Sequence, residues 1–571
     1  MSKIQRIVIM TLLVAVFVLS MTVFCHADSI PYYSDYTPCD IYVNGNRISQ
    51  QATLVSGNIY IDIDTLQYYG VTEGWQFDED LEDIWIRVKN QDVFFGDDET
   101  TEFIKRNAGI VGIKLKYFNT YYDYEYRYYV SLGVIADLAR LEWTYKDGAV
   151  YIVPYKDFSN PFLLAKGNEE VYTTASGEER GPSLRENQLL RIVDQSGARI
   201  RVSDTAGNNF FIPKDQAVIM SNPDLIHSFS RKYKEKDVYD GPINAMWSDL
   251  SYCPEKIDGL DVMANISFYP WASSDGSSYE GCVNVCNYGV ISTAHDRGYK
   301  WWLCAQNFNT GIGTTYDFID SNLKDREMSK KLAAQYLFYS CIYNADGINI
   351  DYEEMDSSCR NYFISFMQTL CKHADKLGLT TSVCTYCGTV WNNATIYPYD
   401  IFGQCCDFIC EMVYNEDISS SLSPMSRTYY IAGTDYIGSL APNERILMGV
   451  ADYTRYTYWS GDWMAGSLWL TLNGVWSDTE GMSMWWDEYT GQYYAEQPYV
   501  RYGTEYLAKF YVEEERSSAL KAQYIVDNGY GGTIGWMFNY MSYSFPEVRG
   551  IYNAYYSIYH NGGSYDAFVP W

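Results

Sequence analysis

Positive charge is what this chain has least of. Over 571 residues, 42 Lys and Arg stand against 72 Asp and Glu, a formal net charge of -30. Such a surface repels polyanions, which excludes nucleic acid as a partner and argues against simple electrostatic adhesion to any anionic polymer. Histidine is scarce too, with 5 in all and none between residues 28 and 226, so that stretch lacks the usual copper ligand. After Ile7 to Phe24 no second apolar run of bilayer-spanning length occurs. Cysteines number 14, and the 13 that follow Ala27 are odd in count and irregularly spaced. Cys384, Cys387, Cys405 and Cys410 would make a zinc set on paper. The two pairs fall in predicted core strands, where thiols pack as small apolar groups, so we expect no metal site and no cofactor.

What is present begins with Lys3 and Arg6, the apolar run, and Ala27 before Asp28, the plan of a secretory signal peptide over residues 1–27. A secreted, wall-associated or free protein without stable membrane insertion after cleavage is expected. The remaining length suits two or three domains.

The stretch Asp346-Gly-Ile-Asn-Ile-Asp-Tyr-Glu353 carries acids where a buried strand ordinarily carries aliphatic side chains. The pleat sends Asn349, Asp351 and Glu353 to one face and Ile348, Ile350 and Tyr352 to the other. Helical spacing over Met328 to Tyr343 and Cys359 to Leu377 places this strand between two helices. In such a setting both sheet faces are covered, so a row of two carboxylates and an amide implies chemistry. From about residue 223 onward eight strand candidates can be placed: 243–247, 262–268, 300–308, 347–353, 381–386, 408–414, 445–452 and 532–537. Helix-length segments separate most of them. The expected fold class is α/β, a (β/α)₈ barrel over residues 223–571 with its site at the strand C-termini. Residues 454–500 read as an insertion in which Trp459, Trp463, Trp485 and Trp486 either wall a cleft or form a small core.

The octapeptide resembles the signature of glycoside hydrolase family 18, with Asn349 at a position where the commonest form has Asp; that substitution is similar to the spore-cortex-lytic, cell-wall N-acetylglucosaminidase branch. The resemblance implies substrate-assisted, retaining hydrolysis, in which the 2-acetamido oxygen of the sugar attacks the anomeric carbon. It implies Glu353 as the general acid and Asp351 as the acceptor for the acetamide N–H, with a charge that raises the pKa of Glu353. Glu411-Met-Val-Tyr-Asn415 resembles the family's Met-x-Tyr-Asp segment, implying Met412 on the site floor and Tyr414 on the acetamide carbonyl, with Asn415 replacing an aspartate. Trp536 matches the tryptophan beneath the sugar. Tyr269, Asn307, Tyr386 and Tyr453 lie at other strand ends. The implied partner is a GlcNAc-containing polysaccharide, peptidoglycan ahead of chitin or N-glycans, cleaved in endo fashion by a monomer. The alternative is a non-catalytic, lectin-like glycan binder on the same fold.

Residues 28–155 hold an internal repeat: Tyr60-Ile-Asp-Ile-Asp64, Trp75 and Ile84-Trp-Ile86 are echoed by Tyr129-Val-Ser-Leu-Gly133, Trp143 and Val150-Tyr-Ile152. With Ile41-Tyr-Val-Asn-Gly45 this resembles the α+β stalk module named after the N-terminal domain of copper amine oxidases. Within it, Tyr122, Tyr124, Tyr126 and Tyr128 alternate with polar residues and predict one strand with a tyrosine face. Residues 156–222 predict short strands at 170–173, 189–193, 198–202 and 210–212, resembling a small Src-homology-3-like β-barrel.

Overall fold

The computed structural model describes residues 37–55, 57–64, 74–78, 83–89, 99–115, 117–122, 125–133, 136, 141–154, 157–158, 161–220, 236–272, 279–284, 290–307, 316–388, 395–419 and 421–564. The expected signal peptide lies outside them. The chain divides into two compact units, residues 1–95 with 112–228 and residues 96–111 with 229–571. Residues 96–111 thus belong with the second unit and interrupt the module expected over 28–155.

In the second unit, short apolar runs form eight parallel strands: β1 (Ile243–Ser248), β2 (Val262–Ala272), β3 (Lys300–Gln306), β4 (Gly347–Asp351), β5 (Thr380–Tyr386), β6 (Phe408–Met412), β7 (Ile446–Ala451) and β8 (Gly532–Trp536). Each pairs with the next, β7 pairs with β8, and β8 returns to β1, so the sheet closes into a (β/α)₈ barrel. Closure pairs each barrel strand on both sides, and Tyr279–Asn284 adds an antiparallel strand beside the end of β2. Both faces of β4 are buried, as the sequence predicts for a covered strand. Tyr352 packs on Phe363 and Phe366 of the helix Arg360–Lys376, and its hydroxyl meets that of Tyr336 on the helix Arg326–Ile342 at 2.7 Å. Asp346, just before the strand, anchors it by accepting from the Trp301 main chain at 2.8 Å and meeting His295 Nε2 at 2.6 Å.

Helix Glu99–Asn107 packs against the same two helices, with Phe103 stacked 4.1 Å from His373 and Thr100 Oγ1 at 2.9 Å from His373 Nδ1. After β7 the chain enters an antiparallel five-stranded sheet, in spatial order Trp463–Thr471, Tyr453–Ser460, Thr504–Val512, Gln492–Arg501 and Ser483–Asp487. The insertion therefore runs to Val512, beyond the expected residue 500.

In the first unit the repeat is visible as paired elements. Strands Asn58–Asp62 and Glu125–Ser131 lie side by side, and each repeat contributes a hairpin, Gly74–Asp78 with Asp83–Lys89 and Leu141–Lys146 with Ala149–Pro154. The single tyrosine-faced strand expected over 122–128 is instead a hairpin, Tyr117–Tyr122 with Glu125–Ser131, in which Tyr121 faces Tyr126. Folding back lets each half satisfy the other's backbone groups, which a lone strand could not do. Downstream, Phe162–Lys166, Glu186–Asp194, Arg199–Ser203, Asn209–Pro213 and Val218–Met220 form an antiparallel sheet around Leu163, Leu190, Ile200, Val202 and Ile212. The strand expected at 170–173 reduces to isolated bridges at Tyr172. Its main chain exchanges hydrogen bonds with Phe211, and its ring carries the guanidinium groups of Arg199 at 3.3 Å and Arg180 at 4.6 Å.

Candidate active site

The barrel strands deliver their polar side chains in layers. In the lower layer Asn349 of β4 is fully buried. Its Oδ1 accepts from Trp247 Nε1 of β1 at 3.1 Å and from the Cys384 thiol of β5 at 3.4 Å, while its Nδ2 donates to Ser382 Oγ at 2.8 Å and faces Cys410 Sγ at 3.7 Å. Asn349 thus fastens four strands together beneath the cavity and does not line it. Cys384 and Cys410 are both committed to this layer, so they do not join Cys387 and Cys405 in a metal set.

One step up the pleat, Asp351 is buried, with Oδ2 accepting from Gln306 Nε2 of β3 at 3.1 Å. Its Oδ1 is buried without a hydrogen-bond partner. Burial pushes this carboxyl above the usual carboxylate range, against the opposing pull of Gln306 and the Cys384 thiol. A buried acceptor left unpaired costs about 1–3 kcal/mol, so the site is poised for a ligand donor.

A further step places Glu353 in the wall of a cavity of about 640 Å³. Its main chain is clamped by Asn307, which accepts from the Glu353 N–H at 2.9 Å and donates to its carbonyl at 2.6 Å. Burial, and then the charge of Asp351, push its carboxyl up to about 8, with a hydrogen bond from Tyr386 working the other way. The Tyr386 hydroxyl also accepts the Glu354 N–H at 2.8 Å, so one phenol fixes the turn that follows the strand.

Met412 and Tyr414 reach the cavity from β6 and the residues just after it. Gly449 on β7 makes room for them: a Cβ there would lie 2.9 Å from Met412 Cα and 3.1 Å from the Tyr414 ring. Burial raises the Tyr414 phenol well above its ordinary value, so it is a neutral donor at any physiological pH. Asn415 follows with φ of 66°, and its Oδ1 accepts from the Tyr453 hydroxyl at 2.7 Å. Trp536 closes the floor and packs edge-on against Trp247, 5.7 Å between ring centroids.

The cavity gathers Glu353, Met412, Tyr414, Asn415 and Trp536, with Asp351 buried behind and Asn349 a layer below. Tyr386 and Tyr453 line it as well. The insertion supplies Trp469 and Thr471, whereas Trp459, Trp463, Trp485 and Trp486 do not line it. Trp463 is 69% exposed near the hairpin tip, and Arg516 covers Trp486 at 3.9 Å. The signal missed in the sequence is alternation along Trp463–Thr471, which puts Trp469 and Thr471 on one face. Tyr429, Tyr540 and Cys387 also line the cavity from loop or helix positions without a pattern of their own.

Residues 310–540 match the family model of the glycosyl hydrolases family 18. The matched segment holds β4 to β8 of the barrel. The chain is 29% identical over 135 residues to the uncharacterized glycosylase YvbX of Bacillus subtilis, a match spanning 22% of this chain and 38% of that protein. Among solved structures, a chitinase from Chromobacterium violaceum aligns at 18% identity and a TM-score of 0.45, covering 55% of this chain and 98% of that one. The spore cortex-lytic enzyme SleL of Bacillus megaterium aligns at 14% identity and a TM-score of 0.44, covering 62% and 79%.

Proposed function

We propose that the domain is a retaining, endo-acting N-acetylglucosaminidase acting on a β-1,4-linked, GlcNAc-containing glycan, with peptidoglycan the preferred polymer. The observation that carries this reading is a carboxyl held protonated at neutral pH in the wall of a cavity, one pleat step from a buried carboxyl with an unused oxygen. Glu353 protonates the glycosidic oxygen. Asp351 Oδ1 accepts the acetamide N–H and turns the acetamide oxygen toward the anomeric carbon. Tyr414 donates to that oxygen, and Trp536 supplies the apolar floor for the distorted sugar. After the leaving group departs, Glu353 takes a proton from water and the oxazolinium opens with retained configuration. No cofactor enters these steps. We further propose export by the segment 1–27, a monomer in solution, and a role for the N-terminal repeats and following sheet as a wall-facing stalk.

Asn415 gives the lectin-like reading its footing. The family's carboxylate beside the acid is here an amide already bonded to Tyr453. Mass spectrometry of soluble products separates the two. Residues 28–571 and the Glu353→Gln variant are incubated with peptidoglycan, chitooligosaccharides and an N-glycoprotein. Products with reducing-end GlcNAc from the parent alone support hydrolysis; glycan binding without products from any substrate favours the lectin.

A further inference from the structure

The barrel's opposite end holds a second cluster of reactive side chains. Cys371 lies in the last turns of helix Arg360–Lys376, Cys405 ends the short helix Tyr399–Cys405, and Cys406 follows it. All three are thiols and none is joined in a disulfide. Cys406 Sγ lies 3.7 Å from Cys371 Sγ and 3.8 Å from Cys405 Sγ, and the three sulfurs all fall within 4.8 Å of one another. These separations have a specific meaning. Tetrahedral thiolates at about 2.3 Å from a zinc ion sit about 3.8 Å apart, so two of the three edges already have the length that a metal imposes.

The surroundings suit a cation as well. The main chain bearing the adjacent pair is held by Arg445, whose guanidinium donates to the carbonyls of Gly403 at 3.1 Å, Gln404 at 3.3 Å and Cys406 at 3.0 Å. Three thiolates around a divalent ion leave one negative charge, and Arg445 stands beside it. Cys371 and Cys406 are buried while Cys405 is partly exposed, which gives an ion a way in and leaves one position open toward solvent. No carboxylate or imidazole joins the three among the described residues.

We propose that Cys371, Cys405 and Cys406 form a structural site for a thiophilic divalent cation, zinc in the first instance. The three thiols give up their protons to bulk water as the thiolates bind. Because Cys406 leads into β6 from its N-terminal end, the site lies at the barrel's bottom face, away from the cavity at the strand C-termini; that face is where stability rather than catalysis is built. The bound ion ties two barrel helices to the start of β6. A ligand that binds the folded chain and not the unfolded one raises stability by mass action. This inference is independent of the glycosidase reading.

The test uses the full chain, reduced and metal-free, titrated with Cd(II) while the ultraviolet thiolate-to-metal absorption is followed, and then with Zn(II) in competition. One equivalent is expected to saturate the absorption and to raise the thermal midpoint. Both effects are lost in Cys405→Ser and in Cys371→Ser and are kept in Cys253→Ser, which removes a thiol of the β1–β2 connection. Should Cys371→Ser fail to fold, the partly exposed Cys405 carries the test alone. Absence of a saturable first equivalent, its persistence in Cys405→Ser, or a Cys371–Cys406 disulfide in the isolated protein would overturn the proposal.

Discussion

Trp247 donates its indole N–H to Asn349 Oδ1 at 3.1 Å in the closed interior of the barrel. With the amide nitrogen of Asn349 donating to Ser382, this contact explains the amide at a position where the family's commonest form carries an acid. A carboxylate there could accept from Trp247 but could not donate to Ser382, and it would place a buried charge beneath the carboxyls of Asp351 and Glu353. Asn349→Asp is therefore expected to lower stability by about 1–3 kcal/mol at neutral pH and to push Glu353 still higher. Urea unfolding at pH 7 together with the pH profile checks both; unchanged stability would contradict this account of the layer.

Activity should fall as pH rises through about 8, because the acid must carry its proton and Glu353 is pushed up to about that value. The same shift has a stability sign. Between the ordinary glutamate value and about 8 the folded chain binds more protons than the unfolded chain, so this group's contribution weakens as pH rises. Glu353→Gln removes the penalty. The inactive variant is expected to have a higher thermal midpoint than the parent at pH 8 and to lose that advantage near pH 4. Equal midpoints at both pH values would show that burial does not act on Glu353 as described.

Tyr386 works in the opposite direction, since its hydrogen bond lowers the Glu353 pKa. Tyr386→Phe should move the alkaline limb of the kcat/KM profile upward and, by freeing the turn at Glu354, lower kcat about tenfold. A fall in rate with an unmoved limb would leave Tyr386 as a mere wall residue.

Trp469 and Trp463 lie on one strand and make a matched pair for testing the insertion. Trp469→Ala should raise KM about fivefold to tenfold with kcat little changed, the scale of one lost stacking contact. Trp463→Ala, at the exposed end, should leave both constants alone. Steady-state kinetics on soluble chitooligosaccharides distinguish them.

Lys521 Nζ lies 2.7 Å from Glu513 Oε1, and both side chains are almost wholly buried. Lys521→Met leaves the buried Glu513 carboxyl with the neutral Gln492 amide but no cation, beside the buried Asp452, and about 3–5 kcal/mol of stability should be lost at pH 7. Chemical denaturation of the parent and the variant at pH 7 measures the difference.

Much of the barrel was legible because its strands are short apolar runs flanked by helix-length segments, and closure follows from their number and order. The row Asn349, Asp351, Glu353 was legible for a local reason, the two-residue period of a strand. What lay beyond the sequence was depth. Alternation puts all three on one face, but only the barrel's layering decides that Asn349 is sealed below while Glu353 reaches the cavity. The tryptophans of the insertion failed for a related reason: which of them meets the cavity depends on the strand order and register within a five-stranded sheet, a non-local fact. Cysteine spacing was silent in the same way: it sets Cys384 and Cys410 near Cys405, while Cys371, a helix away, is near in space.

The inserted sheet leaves the barrel directly after β7 and brings Tyr453, Trp469 and Thr471 to the cavity, while the acid and its partners sit on β4 to β6. On the proposed function, cutting and much of the gripping are encoded on separate stretches of chain. A change of glycan can be drafted between residues 453 and 512 with the proton-transfer machinery left untouched, so this segment is where related sequences would be expected to diverge in length and in aromatic content.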